Sequence, residues 1–161
     1  MKNLLLLMAV VGIGVYGYEN FYKSPTSISN PIYLESRVNL VIPDISRNIE
    51  MVLLGEMASR DECAERKQLL LARLLKKCKE CSFKTISKTF ECKAELTHRN
   101  KLLFSDIPMD TTYLSLSSSN SHERNARLLL WGLSDEEAQF ICKKLKGIVK
   151  HSFNGTAKCI S

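Results

Sequence analysis

An uncharged apolar run stands at the very start of this chain, and all six cysteines come after it. Leu4 to Tyr18 reads LLLLMAVVGIGVYGY, with only Met1, Lys2 and Asn3 in front. Such a run sends the rest of the chain across a membrane. On the far side thiols persist as disulfides, whereas the cytosol keeps them reduced. The two features together point to an exported domain stapled by disulfides. As a helix the run would be about 22 Å long, short of a hydrocarbon core of about 30 Å. Lys2 can snorkel at one end, and Tyr16, Tyr18, Phe21, Tyr22 and Lys23 supply an interfacial belt at the other. A cleavable signal needs small residues at its cleavage site, which Val15-Tyr16-Gly17 meets poorly. The expectation is an uncleaved anchor over residues 1–22 that meets lipid through residues 4–22. A cleaved signal peptide is the alternative.

About 140 residues remain beyond the run, enough for one domain with its own core. The net charge is +6. An exported domain meets no nucleic acid, so direct nucleic-acid binding is not expected. The excess charge reads as a solvated basic surface or as a face for an acidic partner.

Residues 23–37 carry Pro25, Pro31 and several Ser and Asn without a sustained period, and read as a linker. The folded domain is then expected over 38–161. Val38, Leu40 and Ile42 alternate before Pro43, as in a short strand. Ile49, Val52, Leu53 and Met57 recur at three to four residues and read as helical. Ser59-Arg60-Asp61-Glu62 fits a capping box that opens a second helix, with Cys63, Leu70, Leu71, Leu74, Leu75 and Cys78 on its apolar stripe. Ile86, Phe90, Cys92, Ala94 and Leu96 alternate with polar residues as in a half-buried antiparallel strand. Further strands are expected over 112–117 and 126–133, with the polar loop 117–125 between them. Ser134-Asp135-Glu136-Glu137 opens a last helix through about Lys146. Asn154-Gly155 lies between two β-capable runs and signals a hairpin over 148–160. No internal repeat is visible. The class implied is α+β: an anchor, then a small disulfide-stabilised domain with a mainly antiparallel sheet packed by helices.

Cys63, Cys78, Cys81, Cys92, Cys142 and Cys159 allow fifteen full pairings. Cys63 and Cys78 on one unbroken helix would lie about 22 Å apart, beyond disulfide reach. Cys142 and Cys159 form the best single pair, tying the last helix to the last strand. Cys92 faces the core and should pair with a cysteine at or near the second helix. Cys78-Lys79-Glu80-Cys81 is a CxxC. A redox role would want it at a helix N-terminus, and here it falls at a C-terminus. A zinc site would have to recruit Cys92 and His98, so structural disulfides are the expectation.

His98, His122 and His151 lack metal spacing and read as surface residues. Any of them could sense pH, and His151, in the expected hairpin, is the foremost. Asn154-Gly155-Thr156 matches a glycosylation acceptor, although a tight turn explains Asn-Gly without it. Trp131 reads as core, or else as an interface anchor. There is no phosphate loop, paired-carboxylate site or metalloprotease helix, so neither catalysis, a metal nor a cofactor is expected.

The layout MKNLLLLMAVVGIGVYGY, a Pro/Ser linker and a small basic domain with six cysteines resembles the single-pass accessory proteins of ToxR-like membrane transcription activators. Within that class it is most similar to the PsaF/MyfF proteins, which help control fimbrial adhesin genes and hence virulence in enteric bacteria. The resemblance implies an inner-membrane protein with a periplasmic C-terminal domain. That domain would bind and stabilise the periplasmic part of the activator and respond to acid or temperature. A second similarity, through GLSDEEAQFICKKL and NGTAKC, is to the C-terminal part of type IVb pilins. It implies a secreted or surface structural module instead, although the chain lacks the prepilin-type start with its Glu.

Overall fold

Stretches in which apolar residues alternate with polar ones, or run unbroken for a few residues, favour strands over helices in this domain. A computed structural model describes residues 28–42, 47–77, 84–118, 123–151 and 153–161. Its elements are β1 (Ile32–Ile42), β2 (Arg47–Met57), α1 (Arg60–Lys77), β3 (Lys84–Lys93), α2 (His98–Leu103), β4 (Tyr113–Ser118), β5 (Ala126–Trp131), α3 (Asp135–Val149) and β6 (Gly155–Ile160). The strands make one six-stranded sheet in the order β3-β1-β2-β5-β4-β6. Every neighbouring pair is antiparallel. The domain is α+β, as its sequence implies. The anchor expected over residues 1–22 lies outside the described residues. Among the described residues no helix is long and apolar enough to cross a membrane.

The two helices opened by Ser-x-x-Glu are where the sequence puts them. At α3 the Ser134 hydroxyl accepts from the Glu137 N–H, and the Glu137 carboxylate accepts from the Ser134 N–H at 2.8 Å. At α1 the Ser59 hydroxyl accepts from the Glu62 N–H, while the Glu62 carboxylate reaches one residue further back, to the Ala58 N–H. α3 runs on to Val149, past the expected end near Lys146.

Four expectations are corrected. The stretch 49–57, read as helical, is strand β2, which is buried on both faces. β1 begins at Ile32, inside the expected linker, and pairs along its whole length with β2. β3 stops at Lys93, and Leu96 turns to the opposite side of the sheet ahead of α2, a short helix that the sequence pattern does not announce. The 148–160 hairpin does not form. Ile148 and Val149 belong to α3, and β6 pairs with β4. Gly155 serves a close approach: a Cβ there would lie 2.2 Å from the Ser117 carbonyl oxygen on β4.

A repeat exists in topology. β1, β2, α1 and β3 form a hairpin, a helix and a third strand that returns beside the first, in the order β3-β1-β2. β4, β5, α3 and β6 do the same, in the order β5-β4-β6. The halves join through β2 and β5, with Glu50 opposite Trp131 and Gly55 opposite Ala126. Each half also has a disulfide from its helix to its last strand, Cys63–Cys92 and Cys142–Cys159.

Both long helices pack on one face of the sheet. There Leu70 of α1 and Ile141, Leu145 and Val149 of α3 join Ile49, Met51, Leu114 and Leu128 in the main core. The other face is covered by the crossover between β3 and β4. From it Leu96, Leu103, Phe104 and Met109 pack on Val52, Leu54, Tyr113 and Leu129. Arg127 of β5 fastens this crossover down. Its buried guanidinium donates to the Leu103 carbonyl at 2.7 Å and to the Phe104 carbonyl at 3.2 Å, closing the end of α2. Asp106, at φ 54°, accepts from Ser115 at 2.5 Å and pairs with Arg127 at 3.1 Å.

Candidate functional site

The crossover covers only part of its face, and what it leaves open is polar. By register, Glu35, Arg37 and Asn39 of β1 share that face with Ser87, Thr89, Glu91 and Lys93 of β3 and with Glu50 of β2. Alternation of side chains along each strand puts them there. They form a linked set of ion pairs. Arg37 Nε donates to Glu35 Oε1 at 2.6 Å, and Arg37 Nη1 donates to Glu50 Oε1 at 3.1 Å. Lys93 Nζ lies 3.1 Å from Glu35 Oε2 and 3.0 Å from Glu91 Oε2. The Glu35 side chain is only 7% exposed. Burial pushes its carboxyl up, but hydrogen bonds from Arg37 and Lys93 outweigh this and hold it below the usual carboxylate range.

Where this polar face meets the start of α2 there is a cleft of about 320 Å³. Arg37 and Glu50 line one side, and Thr97, Arg99 and Asn100 line the other. Val52, Leu129 and Trp131 supply its apolar surface. Thr97 caps α2 by accepting from the Asn100 N–H. The Arg99 guanidinium sits 4.9 Å from the centroid of the Trp131 ring, within reach of a cation–π attraction. It also pairs with Asp110 at 3.4 Å.

The sheet has a second kind of surface, its edges. β3 and β6 are the outer strands. Ser87, Lys88, Thr89 and Glu91 on β3 are exposed, as are Thr156 and Lys158 on β6. Polar and charged side chains on an edge strand limit non-specific pairing, yet the backbone there can still take a partner's strand.

The residues that the sequence marks out fall elsewhere. Cys142 and Cys159 are joined, with Cα atoms 5.9 Å apart. Cys63 on α1 is joined to Cys92 on β3, 6.0 Å apart. Cys78, Cys81 and His122 lie outside the described residues, and with them the CxxC. His98 opens α2 and His151 comes just after α3; both are exposed, and neither lines the cleft. Among the described residues no three His, Cys, Asp or Glu are placed to hold a metal ion. Trp131 is half-buried at the cleft, between the two readings its sequence allows. Sequence reasoning misses Arg37, Glu50 and Arg99. A signal for Arg37 is present, because the alternation of Leu34, Ser36 and Val38 against Tyr33, Glu35 and Arg37 extends the strand pattern backwards.

No protein-family model, curated protein or solved structure matches the chain. Among the described residues the geometry defines a disulfide-linked antiparallel sheet with a polar cleft and two outer strands, β3 and β6, each paired on one side only.

Proposed function

We propose that this chain is a membrane-anchored periplasmic accessory protein that binds and stabilises a ToxR-like membrane transcription activator, and so takes part in controlling fimbrial adhesin genes. The observation that carries the reading is the pair of edge strands at the ends of a sheet held by two helix-to-strand disulfides. An edge strand docks on a partner by adding to its sheet, and the backbone supplies the affinity. The bridges keep that edge in shape in an oxidising compartment.

The test places a photo-crosslinking amino acid at Thr89 on β3 or at Thr156 on β6 and co-expresses a ToxR-like activator. A crosslink to its periplasmic part from one edge, and a shorter activator half-life on deletion of this chain, are expected. No crosslink from either edge and an unchanged half-life would remove the reading. The alternative is a secreted or surface structural module of the pilin kind, favoured if the mature protein begins near Tyr18 and leaves the membrane. N-terminal sequencing separates the two.

A further inference from the structure

We infer that the cleft between α2 and the open sheet face is a binding site for a small organic anion, a carboxylate on an apolar body of about ten non-hydrogen atoms. Its lining is divided in the way such a ligand requires. Val52 and Leu129, each 2% exposed, close the bottom of the cleft against the core. Trp131 adds a flat aromatic surface beside them. Around it stand the guanidiniums of Arg37 and Arg99 and the carboxylate of Glu50, with Glu35 paired to Arg37 and Asp110 to Arg99.

Neither guanidinium is used up. Arg37 commits Nε to Glu35 and Nη1 to Glu50, and a guanidinium has five N–H donors. Arg99 meets Asp110 only at 3.4 Å, and that carboxylate is 94% exposed. The Arg99 guanidinium lies over the Trp131 ring, 4.9 Å from its centroid, and a guanidinium fork can meet a carboxylate with two parallel hydrogen bonds. Inorganic phosphate would gain nothing from the floor, and a second negative charge would be opposed by Glu50. The volume is at the lower end for ligand sites and suits a small molecule. The inference is separate from the docking reading, because the cleft requires no partner strand.

Trp131 is the only tryptophan in the chain, so its emission reports on this site alone. The experiment titrates the full-length chain, held in zwitterionic lipid discs, with cyclohexanecarboxylate, its neutral carboxamide and inorganic phosphate. The carboxylate should change Trp131 emission saturably in the millimolar range. The carboxamide should bind about tenfold more weakly or worse, and phosphate should give no saturable change. Arg99→Gln, on the exposed side of α2, should weaken carboxylate binding about tenfold while leaving the melting temperature unchanged. No saturation by the carboxylate, equal binding of the carboxamide or phosphate, or full affinity in Arg99→Gln would each overturn the proposal.

Discussion

Glu62 shows how one carboxylate holds two distant parts of the chain together. It accepts from the Ala58 N–H at 2.8 Å, from Arg66 Nε at 3.0 Å, and from Arg124 Nε and Nη2 at 2.8 and 3.1 Å. The Arg124 side chain is 5% exposed. Arg124→Met removes a two-pronged charged contact from a nearly dry site, and should cost about 2–3 kcal/mol in a urea unfolding experiment. Burial pushes the Glu62 carboxyl up, but hydrogen bonds from Arg124 and Ala58, with the charge of Arg66, hold it below its ordinary value. The same direction holds at Glu35. A carboxyl whose folded pKa is depressed stabilises the fold above its unfolded pKa, and that stability is lost as pH falls through the folded value. The difference in unfolding midpoint between the natural chain and Glu62→Gln should therefore be constant from pH 7 to 5. It should shrink only below the ordinary carboxylate value of 4.5. A difference that already shrinks between pH 7 and 5 would refute this assignment.

At the scale of elements, how legible a segment is in the sequence depends on how many of its faces are covered. α3 is amphipathic, covered on one side, and opened by a capping box, so spacing alone finds it. β2 is central and covered on both faces. Its Met51, Val52, Leu54 and Met57 are all buried, which erases the two-residue period and leaves Ile49, Val52, Leu53 and Met57 at helical spacing by coincidence. β1 hides in the expected linker because Glu35, Arg37 and Asn39 line the polar part of the sheet face and Pro31 and Ser36 add to a loop-like composition. Gly155 misleads for another reason: it answers a crowded contact with β4, which no turn rule describes. The cleft shares this difficulty, since its two arginines come from segments 62 residues apart and only the packing of α2 on the sheet unites them. The edge strand β6 offers a test of what fixes an element in place. It pairs on one side only, with β4, and Cys142–Cys159 ties it to α3. Replacing both cysteines by alanine should cost about 3 kcal/mol. Hydrogen exchange should then speed up first in β6, with β2 and β5 remaining protected.

The whole molecule is two similar units fused across one strand pair, β2 with β5. Sequence comparison of the halves conceals this, because Cys63 sits in the first turn of α1 and Cys142 two turns into α3. What the halves share is physical: a Ser-x-x-Glu start, a helix on the same face, and a bridge from helix to returning strand. The main core draws residues from both, with Leu70 and Phe90 from the first beside Leu128 and Ile141 from the second. A shared core of this kind predicts one cooperative transition. The bridges close stretches with sequence separations of 29 and 17, and together should contribute about 6 kcal/mol. A domain of ordinary stability has only about 5–15 kcal/mol in all. Reduction should therefore lower the melting temperature by roughly 15–25 °C in a single transition. A loss of that size would make the bridged form much the more stable one, in keeping with the exported placement proposed above. Differential scanning calorimetry with and without reductant decides the point: a shift under about 5 °C would mean that the bridges are incidental, and would remove that support.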